Sequence, residues 1–332
     1  MELDWSVRIV GLGHSVPPRM VANVEIARRF ECTPEWIGEL TGVESRHHCE
    51  PQTGPGAIAI GAQAAREAIE DAGLARDEVD LIVNASGTQV QAIPDGASLL
   101  QRELGLGASG VPCVSIHTTC LSFLNALQFA GALLHAGVHR RVLIVSSEAA
   151  SAGLDPQDVE TSALMGDAAA AAVVQAVPPG DRSRIHALHF ETYGEGSELT
   201  VVRGGGTRNP PLAPHTRPGD HYFQMDKRSL LKLMLQRLPP FLERVWPGHD
   251  LRALDHVVPH QASPATFSLL ERVGFAPQRV HESLSVLGNC VAASIPATLY
   301  RAVRAGAVKR GDRVLLLGSG AGVSFGAAVL TY

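Results

Sequence analysis

The spacing of apolar residues divides the chain into alternating strands and helices. Val7–Leu12 (VRIVGL) reads as a buried strand that ends ahead of Pro17 and Pro18. Asn23–Phe30 and Pro34–Leu40 carry short helical patterns. The alanine-rich stretch Gly56–Gly73 has helical spacing and an Asp-Ala-Gly stop. Val79–Ala85 (VDLIVNA) is a near-continuous apolar run, which predicts a strand covered on both faces. A helix over Ala97–Leu104 and a strand over Val111–His117 (VPCVSIH) follow. Leu121–Gly137 has helical spacing with few polar positions, so it predicts a helix buried all round. Strands are expected at Arg141–Ser146 and Ala168–Val177, and Gly204–Gly219 (GGGTRNPPLAPHTRPG) reads as a loop. Met225–Val245 is helical until Pro239-Pro240 interrupts it. Asp255–Pro259 predicts a strand and Ser263–Val273 a helix. Asn289–Ala305 predicts a helix that is kinked or starts late because of Pro296. Arg313–Leu317 and Val323–Leu330 are the last strands.

The pattern echoes itself. DLIV at 80–83 matches DHVV at 255–258, and RVLIVS at 141–146 matches RVLLLG at 313–318. Two matches at similar offsets predict two related βαβ halves, residues 1–177 and 178–332. The length of 332 residues suits two domain-sized units. A hydrophobic content of 45% with only 18% charged residues excludes a disordered chain. The net charge of −5 argues against a nucleic-acid partner, which needs a basic face. No apolar run approaches the ~20 residues of a membrane span. The opening MELDWSVRIV lacks the pattern of a signal peptide, so a cytoplasmic protein is expected. Five cysteines without a CxxC pair fit a reducing compartment and exclude a disulfide scaffold or a thiolate zinc site. His47-His48-Cys49 is spaced wrongly for one ligand sphere, so no metal is expected, and no cofactor.

Four places carry chemistry. Cys120, in IHTTCLSF, lies between a strand and an apolar helix, where backbone N–H groups and the macrodipole favour a thiolate nucleophile. Taken alone, it is as readily a small apolar filler. Cys113, mid-strand, reads as core. His260, in VVPHQASP, follows a strand directly, at the sheet edge where ligands gather, although by itself it is more readily a satisfied loop histidine. Asn289, in LGNCVAASIP, taken alone is a helix N-cap. The run LLLGSGAGVSFG is not a dinucleotide loop, because no helix follows it. A glycine turn between two strands instead offers backbone N–H groups at close range, as an oxyanion hole needs.

The ordered set of Cys120, HQA at 260–262, GNxxAASIP at 288–296 and GSGAG at 318–322 resembles the β-ketoacyl-acyl-carrier-protein synthase III family of the thiolase superfamily. TPEWIGELTGVESRH (33–47), DEVDLIVNASGT (77–88) and MGDAAAAAVV (165–174) add to the resemblance, which covers nearly the whole chain. It implies a thiolase-like α/β fold, two βαβ halves in five α-β-α-β-α layers, and a homodimer. It further implies that Cys120 takes an acyl group from a thioester on acyl carrier protein or coenzyme A. His260 and Asn289 would then drive a decarboxylative Claisen condensation with a malonyl-type thioester. The backbone N–H groups of Cys120 and Gly322 would form the oxyanion hole. Trp36, Ile93 and Lys232 fall at substrate-binding positions, with Ile93 reaching into the neighbouring subunit's acyl pocket. Three arginines expected in the family are replaced by Leu40, Ala152 and Ala265, which points to a specialised relative in a secondary-metabolite or fatty-acid pathway. Two alternatives stand beside condensation: acyl transfer from Cys120 to a hydroxyl or amine without decarboxylation, and a non-catalytic partner subunit.

Overall fold

The computed structural model describes residues 2–50, 54, 56–178 and 180–332. Ten strands form two sheets: β1 (Glu2–Trp5), β2 (Val7–Ser15), β3 (Leu81–Asn84), β4 (Cys113–Ser115), β5 (Arg141–Glu148), β6 (Ala168–Ala176), β7 (Arg184–Thr192), β8 (His256–Pro259), β9 (Arg313–Gly320) and β10 (Ser324–Thr331). The first sheet runs β2-β6-β5-β3-β4 and the second β1-β7-β10-β9-β8. Six helices form the layers: α1 (Ala57–Asp71), α2 (Gly96–Glu103), α3 (Ser122–His135), α4 (Lys227–Val245), α5 (Pro264–Arg272) and α6 (Ser294–Arg304). Helices α3 and α6 lie between the sheets, α1 and α2 cover the outer face of the first, and α4 and α5 cover that of the second. These are the five layers of a thiolase-like fold.

The layering follows from the period of two along each strand. Val142 and Ile144 of β5 face the central helices, while Leu143 and Val145 face α1. In the second sheet Val314 and Leu316 of β9 face inward, and Leu315 and Leu317 face the outer helices. Both faces are apolar, so each strand reads as a continuous hydrophobic run. The two sequence echoes fall on equivalent strands. β3 pairs in parallel with β5 and β4, and β8 pairs in parallel with β9; the first sheet continues through antiparallel β6 and β2, the second through antiparallel β10, β7 and β1. β1, however, pairs with β7 in the second sheet, so the sheets do not divide cleanly along the chain.

Small residues set the layer spacing. A Cβ on Gly11 would lie 2.1 Å from the Ala68 carbonyl oxygen, and one on Gly13 would lie 2.0 Å from that of Ala64. Only glycine in β2 lets the alanine face of α1 come this close.

Several expectations are corrected. The strand Arg184–Thr192 (RIHALHFET) escapes sequence reading because its polar side chains break the apolar run. Helix α4 runs unbroken through Pro239 and Pro240. Of the two expectations for Pro296, the late start holds: α6 begins at Ser294, with Pro296 in its first turn, where an N–H is not needed, and a 3-10 turn at Val291–Ala293 precedes it. Cys113 is half-buried on the edge strand β4, at the border of the core cluster beneath α1 and α2 rather than inside it.

Candidate active site

Cys120 lies in a 3-10 turn, Thr119–Leu121, that leads into α3. His260 directly follows β8, and its N–H donates to the Leu317 carbonyl of β9 (2.8 Å), which fixes it at the sheet's end. Asn289 Nδ2 donates to the Ala262 carbonyl (3.2 Å), tying the asparagine turn to the histidine turn. Asn289 Oδ1 accepts from the N–H of Val291, the first residue of the short 3-10 turn (2.9 Å), so it is not the cap of α6. The nucleophile turn reaches the histidine through Gly318 of β9. A Cβ there would lie 2.8 Å from Leu121 Cδ2 and 3.6 Å from His260 Cβ. Gly322, in the β9–β10 turn, has φ +80°, a conformation open to glycine. Residues 140 positions apart thus converge at the ends of strands from both sheets.

Backbone strain gathers at the same place. Four non-glycine residues among those described have positive φ, and three of them are β-branched: Thr119 (52°), Val291 (46°) and Val323 (51°). They are next to Cys120, two residues past Asn289, and next to Gly322. A β-branched side chain in the left-handed region is an outlier, and such strain collects at functional sites. Two buried polar atoms here, Thr119 Oγ1 and His260 Nδ1, have no hydrogen-bond partner.

Burial and the helix terminus act on Cys120 in opposite directions. Burial pushes the Cys120 thiol up to about 12, and the nearby Glu148 carboxylate adds to the rise. This opposes the pull of the helix terminus toward the thiolate. Burial lowers His260 to about 4, which keeps the imidazole neutral at physiological pH. A neutral imidazole N–H and an amide NH₂ can stabilise a developing enolate oxygen without a competing charge.

A cavity of about 360 Å³ opens beside His260 between α4 and α5. Its walls are apolar, with Leu230, Met234, Leu238, Leu269 and Phe325 among them, and its mouth carries Glu39, Leu40, Glu160 and Lys227. Lys227 is ion-paired with Glu160. Leu40 and Ala265 line the cavity, whereas Ala152 does not, so only two of the three replaced arginines bear on it. Trp36 and Lys232 are exposed and do not line the cavity themselves, although each shares a helix with residues that do. Ile93 is 88% exposed in a loop. Sequence reading missed Glu148, a fully buried acid at the end of β5. The available signal was a carboxylate closing an apolar strand, RVLIVSSE.

Fold and site together define a thiolase-fold acyltransferase of the condensing type. Residues 114–194 match the family described as 3-oxoacyl-[acyl-carrier-protein] synthase III, and residues 247–332 match its C-terminal domain. The chain is 34% identical over 327 residues to β-ketoacyl-[acyl-carrier-protein] synthase III 3 of Streptomyces coelicolor, spanning 98% of this chain and 96% of that one. It is 33% identical over 330 residues to the synthase III of Rhodospirillum rubrum, spanning 98% and 99%. The crystal structure of the Aquifex aeolicus 3-oxoacyl-[acyl-carrier-protein] synthase III superposes with a TM-score of 0.86 at 29% identity, covering 98% of this chain and all of that one. The chain belongs to the β-ketoacyl-[acyl-carrier-protein] synthase III family.

Proposed function

We propose that the protein joins an acyl group carried on Cys120 to a malonyl-type thioester with loss of CO₂. The observation that supports this is the hydrogen bond from Asn289 Nδ2 to the Ala262 carbonyl, two residues past His260, which ties the two turns together. In the first half-reaction the Cys120 sulfur bonds to the donor's carbonyl carbon, and the C–S bond to the carrier breaks. The thiol proton passes to the departing thiolate, and the backbone N–H groups of Cys120 and Gly322 hold the oxyanion. In the second, the bond to the malonyl carboxylate breaks and CO₂ leaves. The electron pair becomes an enolate whose oxygen is held by His260 and Asn289. The enolate carbon then attacks the acyl carbonyl and releases Cys120.

Asn289→Ala removes one donor to that oxygen, a loss worth on the order of 10²–10³ in rate. Decarboxylation of malonyl thioester should fall by that factor while acylation of Cys120 persists. A variant that decarboxylates at the wild-type rate would leave simple acyl transfer as the reading.

The mouth bears on the donor. Glu39 and Glu160 face a single lysine there, and Leu40 stands where the family's arginine would meet phosphate. Coenzyme A brings a diphosphate to such a mouth, whereas a carrier protein keeps its own charges outside it. We infer that acyl carrier protein is the better donor. With matched acyl chains, kcat/KM should be higher for the carrier protein, and a clear preference for acyl-coenzyme A would refute this. The protein is placed in the cytoplasm and as a homodimer on the same reading. Among the described residues, no helix is long and apolar enough to cross a membrane.

A further inference from the structure

Glu148 takes no part in the chemistry above, yet it binds the Gly87–Thr88 segment that lies between the nucleophile turn and the asparagine turn. It is fully buried at the end of β5. Its Oε1 accepts from the Gly87 N–H (2.7 Å), and its Oε2 accepts from the Thr88 N–H (2.8 Å) and the Thr88 hydroxyl (2.7 Å). The Val291–Ala293 turn, just past Asn289, packs against the strand that Glu148 ends. Each of those hydrogen-bond partners is a donor, so the site is built around the carboxylate form, although burial pushes its pKa up to about 8.

Gly87, held by Glu148, fills the gap between the other two turns. A Cβ there would lie 2.5 Å from Val291 Cγ1 and 3.1 Å from the Thr119 carbonyl oxygen. Thr119 and Val291 are two of the strained residues, and strain of this kind persists only where surrounding bonds over-determine it. We propose that Glu148 is a positioning residue whose carboxylate, through Gly87–Thr88, holds the nucleophile turn and the asparagine turn in register. This rests on the assignment of Cys120 and Asn289 made above. A glutamine cannot replace it. Its amide oxygen serves one side, and its NH₂ then faces an N–H on the other.

The test compares wild type with Glu148→Gln and Glu148→Asp. The measurements are Cys120 acylation by intact mass, kcat and KM for malonyl thioester, and Tm. Misplacement of reacting groups by about 1 Å can cost on the order of 10²-fold. Glu148→Gln should therefore lose about tenfold or more in kcat with KM within about threefold. Glu148→Asp keeps the charge and should recover part of kcat, even though its shorter chain leaves a void and lowers Tm. A Glu148→Gln enzyme within twofold of wild-type kcat would overturn the proposal. So would activity that simply follows Tm across the two variants. Should Glu148→Gln not fold, Thr88→Val removes one donor and leaves the charge; it should lower kcat without moving KM, and an unchanged kcat would overturn the proposal. If wild type itself forms no Cys120 adduct, the assignment of the nucleophile fails. If it does and the Glu148 variants are unaffected, only the positioning role fails.

Discussion

Thr119 shows most simply what the site demands of its residues. It precedes Cys120 with φ 52°, and its hydroxyl is buried without a partner. The strain costs about 1–3 kcal/mol, and the orphaned hydroxyl costs about as much again. Thr119→Gly removes both and returns about 0.5–1 kcal/mol through the freer unfolded chain. The variant should gain about 1 kcal/mol or more of stability and show a raised Tm. Its freer turn should acylate Cys120 several-fold more slowly. A lower Tm with unchanged acylation would show that the strain serves neither role. Burial raises the Cys120 thiol to about 12 and lowers the His260 imidazole to about 4, so it disfavours charge on both groups.

At the scale of elements, the strands with two apolar faces were readable because burial on both sides leaves a continuous run, as in β3, β5 and β9. β7 was not, because His186, His189 and Glu191 break its run. The run of α4 past two prolines was equally hidden, since tertiary packing of Leu238, Phe241 and Leu242 holds the helix where local bonding would end it. The four chemical motifs could be found because each closes a strand or opens a helix. Glu148 could not be assigned, because its role lies in long-range bonds to Gly87 and Thr88 that no local pattern encodes. The edge strand β4 carries a prediction of its own. It pairs on one side only, with β3, and is half-buried; nearby Ile93 and Val90 are 88% and 50% exposed. An unpaired strand edge beside exposed apolar side chains invites pairing with a second copy. Light scattering at micromolar concentration should give a dimer, and a fully active monomer would contradict this.

Across the whole molecule, neither half holds the proposed chemistry alone. Cys120 leads into α3, between the sheets, while His260, Asn289 and Gly322 come from the second half. The central layer of α3 and α6 is what brings them together. The residues that could vary without disturbing this arrangement lie at the cavity mouth, where Leu40 and Ala265 stand. Substrate choice can therefore change while the layered frame and the strained turns stay fixed. The central claim is that Cys120 carries the acyl group, and intact-protein mass spectrometry after incubation with acyl thioester tests it most directly. The wild-type chain should gain one acyl mass, released by hydroxylamine, and Cys120→Ala should gain none. An acyl adduct of the same mass on Cys120→Ala would contradict the account.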